Sequence, residues 1–396
     1  MPLSAARKSS HHCVAVSVHQ SIVAGCEPTC HGCRHRALTP EASLAQKSRY
    51  LERALAPWRN QLEAVRSAGA RARYGYRDRV TLSARWSVES GWRFGLMRRD
   101  ELIAIHDCPV HSSRVNRLVA LLVDRLPAFV HLPLAYLHVA GAQATLVVKA
   151  AAIDRTLLRP LLDGLPGTGL DGLWIHCHRA AGRRLFARSG WHLVWGRADS
   201  VGHGGLVHGP TSFQQLLPEL HADALAIAAQ HLRPRAGSLV LDLYCGIGTS
   251  LHAWTMSGAA ALGIELGGDA IDCARRNAPG AIVLRGTCVQ RLPQIREWWQ
   301  ASPGERVAYV NPPRSGLEAE LLVALARELR PSRAAYLSCS AGTLARDLAA
   351  FEECGHAVER IVPYDFFPGT HHVECLALLR LGDAAQASTS GTLPLR

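Results

Sequence analysis

Leu239-Val-Leu-Asp-Leu243 runs straight into Tyr244-Cys-Gly-Ile-Gly248, and the fold follows from this stretch. A short apolar run bounded by turn residues reads as a strand buried on both faces. Glycines at 246 and 248 let the backbone pass close to a ligand at the carboxyl end of that strand, where open α/β sheets bind ligands. Working outward, strands are expected at 261–265, 281–284, 307–310 and 334–338, with helices at 250–258, 269–278, 317–329 and 342–353. A helix carrying Leu220, Ala224, Leu225, Ala228 and Leu232 precedes them, and strands at 357–363 and 373–379 close the unit. Such alternation predicts a parallel sheet with helices on both faces. Glu265 ends the strand after Asp242 and is suited to the two hydroxyls of a ribose. A dinucleotide site would need a third glycine in register; Thr249, Ser250 and Leu251 stand there instead.

The whole chain has 396 residues, 48% hydrophobic and 19% charged, which suits two globular domains. The net charge of +12 points to a polyanionic partner, RNA or DNA first. Lysine occurs only at 8, 47 and 149, so arginine carries nearly all of the charge. No run of apolar residues is long enough to span a membrane, and the segment after Lys8 is too polar for a signal peptide. A cytoplasmic location is the default expectation. Twelve cysteines then argue for metal-binding or catalytic thiols rather than disulfides.

The first half is less regular. Helical spacing appears at 41–70, with Pro57 placed to kink or split it, and again at 114–126. Residues 73–106 read as strands in which Tyr74, Tyr76, Val80, Leu82, Ala84 and Trp86 alternate, and 135–200 as short strands and turns. The expected organisation is a flexible extension at 1–25, an α+β domain at 26–205 carrying a Cys cluster and binding RNA, a Rossmann-like α/β domain at 206–382, and a loose tail at 383–396.

Three further segments fall on strand ends of the same sheet: Asn311-Pro-Pro-Arg-Ser-Gly316, Ser338-Cys-Ser340 and Phe367-Pro-Gly-Thr-His-His-Val-Glu374. The Asp-x-Tyr-x-Gly-x-Gly form at 242–248 resembles motif I of class I S-adenosylmethionine-dependent methyltransferases. The full set resembles the RNA uridine-5-methyltransferase family, above all its iron–sulfur-containing 23S ribosomal RNA branch. Phe-Pro-x-Thr-x-His-x-Glu is matched throughout 367–374, Thr343-Leu-Ala-Arg-Asp347 follows the family, and Ser212-Phe-Gln-Gln215 is similar to its Ser-Phe-Phe-Gln. The likeness runs from about 26 to 382 and is strongest after 205. Leu217 and Thr249 depart from residues common in the family, at the edge of the cofactor pocket.

The resemblance implies S-adenosylmethionine as cofactor, held by Gln215, Tyr244, Gly246, Glu265 and Asn311. It implies Cys339 as nucleophile, Glu374 as base and RNA as partner, 23S ribosomal RNA first and transfer RNA second, with no obligate protein partner evident. The chemistry asks for those residue types. Carbon 5 of uracil is a poor nucleophile. A thiolate adding to carbon 6 makes carbon 5 able to attack a sulfonium methyl, and a base then removes the carbon-5 proton. The thiol needs surroundings that favour thiolate, and the base must leave its stack. His372 matches the family's His, with a structural or a catalytic part open.

Cys26-x₃-Cys30-x₂-Cys33, with Cys108 before a proline, resembles the four-Cys [4Fe–4S] set of related methyltransferases, although the first gap is shorter. Zinc is the alternative metal, and Cys13 a spare donor. The same spacing occurs in radical S-adenosylmethionine enzymes. Gly32 stands where those carry an aromatic, a fourth Cys would fill their open site, and no barrel pattern follows. An amino methyltransferase would want an aromatic after Asn311-Pro-Pro, where Arg314 stands, and has no use for Cys339. Arg71, Arg73, Arg77 and Arg79, interleaved with Tyr74 and Tyr76, form a candidate RNA-gripping strip.

Overall fold

The computed structural model describes residues 18–182, 184–301 and 303–382. Cys13, most of the expected extension and the expected tail lie outside the described residues. Helix α1 (Pro40–Ala54) opens on Thr39, whose hydroxyl accepts from the Ala42 amide, with Pro40 in the first turn. It stops at Leu55, two residues before Pro57, and a 3₁₀ turn over Ala56–Gln61 follows, as the proline predicted.

Strands β1 (Arg79–Ser87), β2 (Gly91–Arg98), β3 (Glu101–Ala104), β4 (Leu134–Ala140), β5 (Gln143–Val148), β6 (Gly172–Cys177) and β7 (Trp191–Gly196) form one sheet, ordered β3-β2-β1-β4-β5-β6-β7. Only β5 and β6 are parallel neighbours. Helices α2 (Ser113–Arg125) and α3 (Arg159–Leu162) lie against it. Val115, Leu118, Val119 and Leu122 of α2 make a buried stripe at helical spacing, sharing a core with Leu82, Leu137, Leu146 and Ile175. In β1 the expected alternation holds for Val80, Leu82 and Ala84. Tyr74 and Tyr76 do not belong to it; they precede the strand, after a 3₁₀ turn at Ala70–Arg73. A short pair, β8 (Ser200–Val201) and β9 (Val207–His208), leads on.

The second sheet contains β10 (Leu239–Leu243), β11 (Ala260–Glu265), β12 (Ile282–Arg285), β13 (Arg306–Val310), β14 (Arg333–Ser338), β15 (His356–Tyr364) and β16 (Glu374–Leu381). Its order is β12-β11-β10-β13-β14-β16-β15, and β16 alone runs antiparallel to its neighbours. The helices are α4 (Pro218–Leu232), α5 (Thr249–Met256), α6 (Gly268–Asn277), α7 (Leu292–Ala301), α8 (Ala319–Val323, running on as a π-helical turn over Ala324–Leu329) and α9 (Ala341–Glu353). Of these, α7 was not expected. Successive residues of each central strand serve two cores. Leu241, Leu243, Ala308 and Val310 pack with α7, α8 and α9, whereas Val240, Val307 and Tyr309 pack with α4, α5 and α6. The sheet is doubly wound, as the alternation of elements predicted.

The expected domain boundary needs a correction. Leu51, Leu55 and Trp58 lie at 0–4% exposure in the core beneath α9, and the Trp58 indole donates to Glu352 at 2.9 Å. The α1 segment therefore belongs with the second sheet, not with the first. Lys47 fixes it there: its Nζ lies 2.5 Å from Asp365 Oδ1 and 3.3 Å from the Phe367 carbonyl. Among the described residues no helix is long and apolar enough to cross a membrane.

Candidate active site

Strand register gathers the motifs. Leu243 pairs with Ile264 on one side and Val310 on the other, so Tyr244, Glu265 and Asn311 emerge together at the carboxyl edge. Here the strand order reverses about β10, the place where open sheets bind ligands. Tyr244 takes a left-handed turn (φ +61°), and its hydroxyl donates to Glu318. Gly246 is also left-handed (φ +56°) and has no atom within 4 Å of where a Cβ would stand, leaving open space beside the backbone. Its amide donates to Glu265 Oε2 at 3.1 Å, while Oε1 accepts from the Leu266 and Gly267 amides at 2.8 and 2.7 Å. Glu265 is thus oriented by three backbone donors. Asp242 does not face this edge. It is fully buried, accepts from the Trp254 indole at 2.8 Å and ties α5 to the strand.

Gln215 reaches the same edge from the loop before α4. Asp269, in the first turn of α6, accepts from the Thr211 amide and hydroxyl and from the Ser212 hydroxyl at 2.9–3.1 Å. The serine of the Ser-Phe-Gln-Gln stretch is therefore an anchor, and the glutamine three residues later is what it positions. Gln215 Nε2 donates to Glu374 Oε2 at 3.1 Å, while its buried Oε1 has no protein partner.

Cys339 and Glu374 lie 35 positions apart in the chain, yet the sheet places them side by side. In the antiparallel pair of β14 and β16 the last paired residues are Ser338 and Cys375; Cys339, just past the end of β14, and Glu374, the first residue of β16, lie one step beyond, near enough for Glu374 to act on the Cys339 thiol. Glu374 is 5% exposed, and burial pushes its carboxyl up to about 7 against the opposing pull of Gln215 and Arg314. Burial and then the neighbouring Glu374 raise the Cys339 thiol; Arg314, which hydrogen-bonds to it, draws it down. The Asn311–Gly316 loop that carries Arg314 is held by α9. Asp347, wholly buried, accepts from the Tyr336 hydroxyl at 2.7 Å and the Leu317 amide at 3.0 Å, and Thr343 Oγ1 donates to the Arg314 carbonyl at 3.3 Å. Thr343 and Asp347 thus share one task, holding the loop that carries Arg314.

A cleft of about 630 Å³ opens over Cys339, bordered by His371, His372, Arg314 and the exposed side of α1. Burial, then His371 and Arg314, lower His372 to about 4, so it is a neutral imidazole at pH 7. It meets Arg314 Nη2 at 3.5 Å and the Phe367 ring edge-on.

Part of the candidate RNA-gripping strip is engaged within the protein, while Arg71 and Tyr74 stay exposed. Arg73 and Tyr76 are buried at 5% and 8% exposure. Arg73 donates to the His35 carbonyl at 2.5 Å, and the Tyr76 hydroxyl to the Pro368 carbonyl at 3.1 Å. Arg77 lies over the Tyr76 ring and Arg79 over Phe213. These side chains brace the Phe367–Thr370 turn and the Gln215 loop. A strand-like alternation of Arg and Tyr looked like an exposed face because nothing local reveals what packs on it.

Cys26, Cys30, Cys33 and Cys108 line one small cavity with Ile22, Val23, Ile105 and Val110. Burial pushes the Cys33 thiol up to about 11, with the other three thiols near enough to add to the rise. Among the described residues no group of three or more His, Cys, Asp or Glu side chains stands ready to hold a metal ion.

Residues 300–381 match the family described as tRNA (Uracil-5-)-methyltransferase. The 23S rRNA (uracil(1939)-C(5))-methyltransferase RlmD of Pseudomonas putida is 28% identical over 370 residues, covering 89% of this chain and 78% of that protein. The chain is thus similar to RNA uracil-5-methyltransferases in its last third and, at lower identity, over most of its length. An uncharacterized RNA methyltransferase of Halalkalibacterium halodurans is 32% identical over 195 residues, 48% of this chain and only 42% of the length of that relative. In structure, the tRNA (uracil-54, C5)-methyltransferase of Pyrococcus abyssi superposes with a TM-score of 0.66 at 22% identity, covering 89% of this chain and 86% of its own. The fold of the second sheet is that of class I methyltransferases.

Proposed function

We propose that this protein moves a methyl group from S-adenosylmethionine to carbon 5 of a uridine in RNA, with Cys339 as nucleophile and Glu374 as base. The observation that carries the reading is the adjacency of a partly exposed thiol and a buried carboxyl at the carboxyl edge of the sheet, with Arg314 beside both.

The residues at the edge suit the cofactor. Glu265 is oriented for ribose hydroxyls, Gly246 leaves open space, and the orphaned Gln215 Oε1 offers an acceptor to a cationic group. Tyr244 and Asn311 complete the wall. When bound, S-adenosylmethionine supplies an electrophilic methyl group.

Cys339 attacks carbon 6 of the uracil as thiolate. Arg314 favours that state of the thiol. Once carbon 5 carries its methyl, Glu374 takes the carbon-5 proton, the thiolate leaves carbon 6 and the ring is restored. A carboxyl titrating at about 7 is matched to this work at neutral pH. His372, neutral and beside Arg314, orients the guanidinium without competing for the proton.

By kinship with RlmD the substrate is 23S ribosomal RNA; transfer RNA is the second reading, favoured by the matched family description. We also assign a [4Fe–4S] cluster to Cys26, Cys30, Cys33 and Cys108. Four thiols around one mostly apolar cavity are the donor set that such a cluster takes, and zinc is the alternative. Its part is to fold the 18–39 segment and Pro109 together, since the methyl transfer needs no electron.

The test is incubation with 5-fluorouridine-substituted 23S ribosomal RNA and S-adenosylmethionine. Fluorine cannot leave as a proton does, so a covalent complex that survives a denaturing gel and disappears in Cys339→Ala is expected. Methylation on a base nitrogen, with no adduct, refutes the mechanism.

A further inference from the structure

The cleft over Cys339 has a wall that the chemistry above does not use. Gln46, Arg49, Tyr50 and Arg53 line it beside Arg314, His371 and His372. The spacing i, i+3, i+4, i+7 puts all four on one stripe of α1. The opposite stripe, Ser43, Lys47 and Leu51, is buried against the catalytic core. So α1 is docked by one face and presents the other to the nucleophile.

The chemistry of the exposed stripe is specific. All four side chains are solvent-exposed, Tyr50 at 44%. No carboxylate is among the lining residues. The acid nearest in sequence, Glu52, points instead into a separate groove with Ser48 and Arg59. Lys47, which also borders the cleft, is already matched by Asp365. Among the described residues, Arg49, Arg53 and Arg314 then stand as cations without a carboxylate partner around the cleft of about 630 Å³, Arg53 steadied by its Nε donating to the Arg49 carbonyl at 3.2 Å, with one flat phenol ring between the first two. Two guanidiniums one helical turn apart, about 6 Å at the backbone, match the spacing of successive phosphates in an extended strand, and an exposed aromatic between them is a stacking platform.

We propose that this stripe of α1 is a strand clamp: Arg49 and Arg53 hold the phosphates flanking the target nucleotide, and Tyr50 stacks on the base next to it, so that the target base stays turned into the cleft toward Cys339. This rests on the RNA methyltransferase reading and extends it to residues outside every motif quoted above. The clamp also gives a reason for the buried Lys47–Asp365 contact, which fixes the register of α1 against the catalytic edge. Arg49, Tyr50 and Arg53 are positioning residues; none meets the reacting atoms.

The experiment measures binding of deproteinised 23S ribosomal RNA to the full chain across a salt series, with S-adenosylhomocysteine binding as a check on the fold. Arg49→Gln with Arg53→Gln is expected to weaken RNA binding by about tenfold or more at low salt. It should also lower the salt slope by about 1.4, two phosphate contacts on a single strand. Arg49→Lys with Arg53→Lys restores the slope. Tyr50→Ala leaves the slope unchanged but costs about tenfold in binding, the loss of one stacked base, and Tyr50→Phe recovers it. An unchanged affinity and slope in the glutamine pair, with wild-type RNA binding intact, overturns the clamp alone. Failure of the wild-type chain to bind RNA overturns the clamp together with the RNA reading.

Discussion

Gln215 Nε2 stands 3.1 Å from Glu374 Oε2, joining the loop before α4 to the carboxyl beside Cys339. One hydrogen bond is too little to keep that carboxyl ionised in its buried setting, and burial wins. The folded protein holds this proton up to about pH 7, whereas an unfolded chain releases it near 4.5. The folded state therefore binds more protons across that window, and stability falls as pH rises through it. Glu374→Gln keeps the acceptor for Gln215 and removes the charge. It is expected to melt with wild type at about pH 4 and to gain up to about 3 kcal/mol at about pH 8. Urea unfolding at the two pH values measures this, and equal stability at both would remove the claim that Glu374 is strained. Under the proposed mechanism the same variant is expected to accumulate the covalent RNA adduct.

Arg314 is expected to set the reactivity of Cys339. Burial and Glu374 both push the thiol up, and Arg314 is the side chain that opposes them. Arg314→Gln should slow alkylation of Cys339 at neutral pH by about tenfold, equivalent to one pH unit in the thiol. Mass spectrometry of the Cys339 peptide after timed iodoacetamide treatment follows it. A pH profile unmoved from wild type would show that the guanidinium serves only the RNA.

Lys47 and Asp365 are buried together, and burial is the leading influence on each: the lysine is lowered and the aspartate raised despite their contact. Removing one partner leaves the other charge stranded. Lys47→Met should cost about 3–5 kcal/mol, while Lys47→Met with Asp365→Leu recovers most of it. Denaturant midpoints of the single and double variants decide. A double variant as unstable as the single would mean that Lys47 acts through the Phe367 carbonyl instead.

The second half of the fold was legible because its strands are short apolar runs separated by helix-length segments, and local pattern suffices for that. The meeting of Cys339 with Glu374 was legible only through motif likeness. It depends on β16 inserting antiparallel beside β14, a topological fact that no local spacing records. The placement of α1 was missed for the same reason: Lys47 finds its partner 318 residues away. The Arg73–Arg79 strip misled because a buried arginine and an exposed one look alike until their neighbours are known. Its bonds to the His35 and Pro368 carbonyls are long-range. By contrast, α7 carries a readable stripe of Leu292, Ile295 and Trp299 that the strand pattern alone passes over.

The cysteine cavity yields the last prediction. Cys26, Cys30 and Cys33 lie on an irregular segment held by few regular hydrogen bonds, and Cys108 on the loop before α2. Thiols raised by burial, as Cys26 and Cys33 are, gain little from one another in the free state, so a bound cluster would be what orders them. Anaerobic purification or reconstitution with iron and sulfide is expected to give a brown protein with about four irons and four sulfides per chain. Cys108→Ala should lose the colour and make the segment before α1 sensitive to protease, while Cys339→Ala keeps both colour and resistance. Zinc found in place of iron by metal analysis of the anaerobic protein would reassign the site, and no metal at all after reconstitution would leave the four thiols as packing residues.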